Sequence, residues 1–407
     1  MFKFAGFRRA GVFECRASGC GFIVALKSYA GAASAAQAGI ILIAVFFLAG
    51  CATQPTSTPP PAETISEPEA PVSSPLNWTN PAAKNLFAPR PVKPLARIVP
   101  PTKSPATIPQ PAPPVTTWTS LNRWAAAHRL GAPHRISDLP VTEYAIGSSN
   151  GVMVLAIGSR EATWNGIEIN LGYAPEFIDG EIFLHGLDLQ KNLEPLLCEP
   201  PLELSGNHVI VIDPGHGGSN VGTHSVLDGR FEKEFTLDTA LRLKLLLETN
   251  GWTVFLTRTS DAYVANPSRP AFATAHHADL FISLHFNATP DRDAKIAGLE
   301  TYCFTPTGMP STVTRGYADP WPEKLSSNDF DAQNLQLAVK LQAALLRATG
   351  MEDRGVRHVR YIEVLRNQKC PAVLIENGYL SNPAEAKLIE SPEYRQKLAE
   401  AIAGALK

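Results

Sequence analysis

Val209-Ile210-Val211-Ile212-Asp213-Pro214-Gly215-His216-Gly217-Gly218 runs four apolar residues straight into a glycine-rich turn with a histidine at its tip. A short unbroken apolar run is what a strand buried on both faces looks like, as in a parallel sheet covered by helices. In α/β sheets the active-site groups collect at the carboxyl ends of such strands, which makes His216 a candidate ligand. The turn has neither GxxxxGK[ST] nor GxGxxG spacing, so it does not read as a phosphate cradle.

Outward from this stretch, residues 207–407 alternate strand-like and helix-like segments, predicting an α/β layered domain with a mostly parallel central sheet flanked by helices. Strands are expected at His208–Ile212, Thr253–Leu256, Leu280–Leu284, Leu299–Phe304 and Ala372–Ile375. Helices are expected at Phe235–Thr249, with Leu237, Leu241, Leu245 and Leu246 on one face and Gly251 as a stop, and again at Asn334–Ala348 and Pro392–Leu406. Leu280-Phe281-Ile282-Ser283-Leu284-His285 repeats the pattern of an apolar strand ending on a histidine. Ala372-Val373-Leu374-Ile375-Glu376 ends on an acid, and a carboxylate after four apolar positions needs a counter-charge or a cation. Glu232-Lys233-Glu234 opens the first long helix, where an acid also complements the helix dipole. Two histidines with one or two glutamates at such places suit a catalytic zinc site with an open position for water, and the spacing excludes an HExxH helix.

The full pattern resembles the zinc-dependent N-acetylmuramoyl-L-alanine amidases of type 3. The resemblance rests on Asp213-Pro214-Gly215-His216-Gly217-Gly218, Glu232-Lys233, Leu256-Thr257-Arg258, Ser283-x-His285-x-Asn287, Gly298-Leu299-Glu300-Thr301 and the Glu376 segment, and it runs from about His208 to the C-terminus. It implies zinc held by His216, Glu232 and His285, with Glu376 as the acid/base. Glu234 falls where the family has an acid that is not a ligand, and it stands as the understudy. The implied substrate is peptidoglycan, cut at the amide between N-acetylmuramic acid and L-alanine. Residue chemistry alone reaches only amide or ester hydrolysis. Asp213, in a tight turn before proline, is expected to order the loop or to support His216. In division-associated relatives an inserted helix plugs the site until an activator protein removes it, so an activator enters as a partner to consider. Thr305–Asn328 lies near the corresponding place, but with its Pro and Gly and little periodicity it reads as a surface loop.

The first half of the chain differs in kind. Basic residues Lys3, Arg8, Arg9, Arg16 and Lys27 precede the uncharged run Gly39–Ala49, which ends in Leu48-Ala49-Gly50-Cys51. This is signal-peptide grammar, too short for a span of about 20 apolar residues, and the tetrapeptide resembles a bacterial lipobox. Residues 1–51 are therefore expected to be a leader. Cys51 would be lipidated as a membrane anchor, and Ala52 after it favours the outer membrane, facing the periplasm. Residues 52–116, dense in Pro, Ala, Ser and Thr, read as an extended tether. Residues 117–200 read as a small α+β module with hairpin turns at Asn165-Gly166 and Asp179-Gly180, and resemble the copper amine oxidase N-terminal-like domain without implying copper. Cys198, Cys303 and Cys370, the cysteines left to the folded part, are expected to be buried apolar residues. A net charge of −2 argues against nucleic acid as a partner. Two other readings stand beside the amidase: a zinc peptidase or deacetylase acting elsewhere on the wall polymer, and a wall-binding lipoprotein without catalysis.

Overall fold

In the computed structural model the described residues are 117–407, apart from 205, 290, 292, 314–318 and 320–322. The expected leader, Cys51 and the tether lie outside them. No described helix is long and apolar enough to cross a membrane.

The residues before the expected α/β domain form β1 (Trp118–Ser120), α1 (Leu121–Ala127), β2 (His134–Ser137), β3 (Glu143–Ser148), β4 (Gly151–Ala156), β5 (Glu161–Trp164), β6 (Ile167–Asn170), β7 (Glu176–Ile178) and β8 (Glu181–His185). Both predicted turns carry their first residue at positive φ, 49° at Asn165 and at Asp179, followed by glycine, as type I′ hairpins require. A broken helical run follows, with α2 (Gly186–Asp188) and α3 (Glu194–Leu197) flanking a wider π-type turn over Leu189–Leu193.

Next come β9 (Val209–Pro214), α4 (Glu232–Thr249), β10 (Thr253–Leu256), α5 (Ser268–Ala275), β11 (Leu280–Asn287), β12 (Leu299–Phe304), α6 (Asp331–Thr349), β13 (Asp353–Val359), β14 (Ala372–Tyr379), α7 (Pro383–Glu390) and α8 (Pro392–Ala405). The strand order is β10-β9-β11-β14-β12-β13, parallel except where β12 runs against β14, so the sheet is mostly parallel as the apolar runs predict. It then continues without a break into β6-β5-β4-β3-β2. The joint is a single parallel pair, Val356 with Ile169. Polar contacts stitch it: Glu168 N donates to Asp353 at 2.8 Å, and Lys191 pairs with Asp331 at 3.1 Å.

Alternation along the strands sorts the two faces. Ile210, Ile212, Ile282, Leu284, Val373 and Ile375 pack with residues of α4, α6 and α8. Val211, Phe281, Tyr302, Ala372 and Leu374 face the other way, toward Ala273 of α5 and a short turn at Glu363–Leu365. That second face is thinly covered, and by the same alternation His285, Glu300 and Glu376 stand on it.

Three expectations need correction. β11 runs on to Asn287 and β14 to Tyr379, so His285 and Glu376 sit inside strands, not at their last residues. Cys198 is exposed, because α3 ends just before it; Cys303 and Cys370 are buried and all three are free. A strand unforeseen in the sequence, β13, completes the sheet. The described part of Thr305–Asn328 packs over β13: Thr312 N donates to His358 O at 2.8 Å, and Arg160 donates to Ser311 O at 3.4 Å.

Candidate active site

His216 is carried by the loop leaving β9 and has φ +64°, a left-handed conformation that the glycines on either side of it allow to be tightly turned. Buried arginines tie that loop down. Arg269 pairs with Asp213 at 2.5 Å and donates to His216 O at 2.9 Å; Arg258 donates to Pro214 O and Gly215 O, each at 2.9 Å. Asp213 also accepts from Ser283 Oγ at 2.7 Å. Of its two expected roles it takes the first, ordering the loop, while His216 Nδ1 meets Asn220 Oδ1 at 2.9 Å.

Glu232 is the first residue of α4, and its carboxylate accepts from the backbone N–H of Thr223 at 3.0 Å and of Phe286 at 3.1 Å. Its two oxygens face the two histidines: Oε2 lies 2.9 Å from His216 Nε2 and Oε1 2.9 Å from His285 Nδ1. The helix-terminus role that an acid here commonly plays falls to Glu234, which accepts from Phe231 N at 3.0 Å and from Arg230, and is part-exposed away from the histidines. His216, Glu232 and His285 are the one group of three potential metal-binding side chains among the described residues, with donor atoms all within 4.8 Å of one another.

The chain makes room for this cluster. A Cβ on Gly215 would stand 2.3 Å from the His285 ring, and one on Gly222 (φ +72°) 2.5 Å from Glu232 Oε2. Two imidazoles and a carboxylate drawn together by small residues fit a borderline cation such as zinc. Burial opposes the charge on Glu232, but hydrogen bonds and charges from both histidines hold its carboxyl well below the ordinary range. Burial likewise works against a charged His216, and Glu232 more than offsets it, raising the imidazole.

Glu376 pairs in register with His285 on β11 and with Glu300 on β12. Its Oε2 is buried and has no hydrogen-bond partner. Burial, then the nearby charges of Glu232 and Glu300, push its carboxyl well above the ordinary range. Glu300 behaves oppositely: burial raises it, but Tyr302 and Tyr379 hydroxyls and Arg354 (2.5 Å) all donate to it, and the net shift is downward. Sequence reasoning placed Glu300 in a motif without a role; it anchors both tyrosines beside Glu376. A cleft of about 920 Å³ joins these groups, lined among others by Tyr302, Leu374, Arg269, Asn266, Glu363 and Arg366. No described residue of Thr305–Asn328 lines it. His276 bonds Phe272 O at 2.9 Å and does not line the cleft.

A cluster of metal-binding donors beside a proton-accepting carboxyl in an open cleft is the equipment of a hydrolase. Residues 210–407 match the family described as N-acetylmuramoyl-L-alanine amidase. It is 35% identical over 199 residues to the probable cell wall amidase LytH of Staphylococcus aureus, across 49% of this chain and 57% of that one. The chain thus spans little more than half the length of the curated relatives it matches. The N-acetylmuramoyl-L-alanine amidase of Clostridium difficile 630 is 31% identical, over 49% of this chain and 95% of that one, with a TM-score of 0.41. The amidase AmiC2 of Nostoc punctiforme is 30% identical, over 50% and 96%, with a TM-score of 0.40. The CwlD amidase of Clostridioides difficile, solved in complex with the GerS lipoprotein, is 28% identical over 49% and 96%, with a TM-score of 0.39.

Proposed function

We propose that this protein hydrolyses the amide between N-acetylmuramic acid and L-alanine in peptidoglycan, with zinc held by His216, Glu232 and His285 and with Glu376 as the acid/base. The observation that carries the reading is the three-donor cluster facing Glu376 across one sheet register. Zinc supplies Lewis acidity toward an amide carbonyl and makes hydroxide accessible near neutral pH. Around it, Thr223 N and Phe286 N fix Glu232, Asn220 fixes the ring of His216, and Arg269 and Arg258 hold the loop that carries it. Glu376 takes the proton of the attacking water on its unpartnered Oε2 and delivers it to the departing peptide nitrogen, a role worth roughly 100-fold or more in rate. Its raised proton affinity suits a group that must hold the proton between the two steps.

In this reading the protein is a lipoprotein, anchored through Cys51 in the outer membrane and facing the periplasm, with residues 52–116 as its tether and 117–200 as a module of its own. The test is the full-length chain on purified peptidoglycan, with mass spectrometry of what is released. Free stem peptides beginning with L-alanine, absent from Glu376→Gln and from chelator-treated protein, are expected. Folded, zinc-loaded protein that releases other fragments would make it a peptidase or deacetylase, and no release would leave a wall-binding role.

A further inference from the structure

Beyond the metal-binding cluster the cleft has a second polar feature. Its floor follows β14 from Glu376 to Leu374, and the wall beside that floor is the turn Glu363–Leu365 followed by Arg366. Arg366 belongs to three adjoining cavities. It lines the catalytic cleft, a groove of about 550 Å³ along α5 bounded by Pro267, Pro270, Ala271 and Thr274, and a small cavity of about 230 Å³ shared with Arg360. It is the junction of all three.

The Arg366 side chain is held by one bond, Nε to Arg360 O at 2.9 Å. Its Nη atoms have no partner among the described residues, and no described carboxylate forms an ion pair with it. The nearest acid in sequence, Glu363, is turned to Asn266, whose Nδ2 donates to Glu363 Oε2 at 3.2 Å. Arg360 lines the same small cavity; it is only 3% exposed, its Nη2 is buried and unpartnered, and among the described residues neither arginine forms an ion pair, although Asp319, Asp331 and Glu323 lie near enough to Arg360 to act on its charge. A half-buried guanidinium that keeps its fork free at the wall of a substrate cleft is fitted to a carboxylate, which it takes in bidentate fashion.

We propose that Arg366 determines specificity by pairing with a carboxylate on the peptide arm of the substrate, as that arm leaves the cleft for the groove along α5. This rests on the amidase reading above. The scissile amide divides the substrate into a glycan side, whose lactyl carboxyl is consumed in the bond, and a peptide side, which carries carboxylates. Only the peptide side offers Arg366 its ion. Arg366 and Glu376 line the same cleft, so the carboxylate would belong to a residue close behind the released L-alanine. The groove beyond, walled by prolines, Ala271 and the Thr274 methyl, takes the aliphatic parts that follow.

The test uses the full-length, zinc-loaded chain and two muramoyl peptides that differ only in whether the residue after L-alanine carries a free carboxylate or a carboxamide. Arg366→Ala is expected to raise KM for the carboxylate peptide about 10- to 100-fold, the loss that follows from removing a hydrogen-bonded charge partner, and to leave kcat and the carboxamide peptide little changed. Arg366→Lys should recover part of the difference, since it keeps the charge without the fork. Arg366→Gln gives the same comparison should the alanine variant not fold. Equal losses on both peptides, or none on either, overturn the proposal while the amidase stands. Wild-type protein that cleaves neither peptide overturns the amidase reading and this one with it.

Discussion

Gly215→Ala tests the metal-binding cluster without touching a ligand. The new methyl would lie 2.3 Å from His285 Cε1 and 2.4 Å from Nε2, where an ordinary contact begins at 3.4 Å. The loop cannot retreat freely, because Gly215 N donates to Leu284 O at 3.0 Å and its carbonyl accepts from Arg258 and Thr236. The imidazole must therefore move by about 1 Å, against the roughly 0.2 Å that a metal–ligand distance tolerates. Zinc affinity should fall by at least about 100-fold, and stability by about 1–3 kcal/mol for the overpacked methyl. Competition against a chromophoric chelator reads the first and urea unfolding the second. Gly404→Ala, at an exposed helical site with nothing within 4 Å, is the control and should leave zinc binding alone. If Gly215→Ala bound zinc as tightly as the wild type, His285 would not be a ligand and the cluster would be structural.

His358 should make stability fall in acid. Burial, then the charge of Arg160, hold its imidazole down to about 4, so below its ordinary value of about 6.5 the unfolded chain takes up a proton that the folded protein refuses. Stability is then lost between about pH 6.5 and 4, by about 3 kcal/mol. His358→Gln should flatten that limb of the urea midpoint against pH; Asp188, which burial holds up to about 6 and whose contribution is lost as pH rises, is common to both proteins. Arg269→Met strands Asp213 in the core and should cost about 3–5 kcal/mol in urea unfolding together with most of the activity. A loss under 1 kcal/mol would mean that Asp213 finds another partner. Alkylation of native protein followed by peptide mapping should label Cys198 and spare Cys303 and Cys370, which burial raises to thiol pKa values near those of inert groups; labelling of Cys370 before unfolding would contradict its burial.

What the sequence made legible was whatever depends on neighbours along the chain. The apolar runs of β9, β10, β11, β12 and β14 announce buried strands, and the residues at their upper ends announce chemistry, because burying His or Glu there without use is costly. β13 was opaque. Arg354, Arg357 and His358 make it look like a loop, and the partners that satisfy them are far away in sequence: Glu300, which pairs with Arg354, is 54 residues from it, and Asn192, which hydrogen-bonds His358, is 166 from it. Glu300 was hidden in the same way, since its tyrosine partner Tyr379 lies 79 residues on. Glu376 was legible as a buried acid but not as an interior strand residue, because what extends β14 is a tertiary contact, the Asn377 side chain donating to His285 O at 3.2 Å. Arg366 gave no signal of its own; only the cavities around it mark it out.

The continuous sheet bears on how this protein can be taken apart. One side of β13 is closed by Ile169 and by Thr312, which exchanges three hydrogen bonds with His358. A catalytic half cut free near residue 207 would lose the first of these covers and present a bare strand edge, along with the apolar flank of α6 that α3 had covered. Bare edges recruit other strands, so such a fragment is expected to self-associate even with every catalytic residue in place. Poor behaviour of the fragment would then report a missing neighbour and not a defective enzyme.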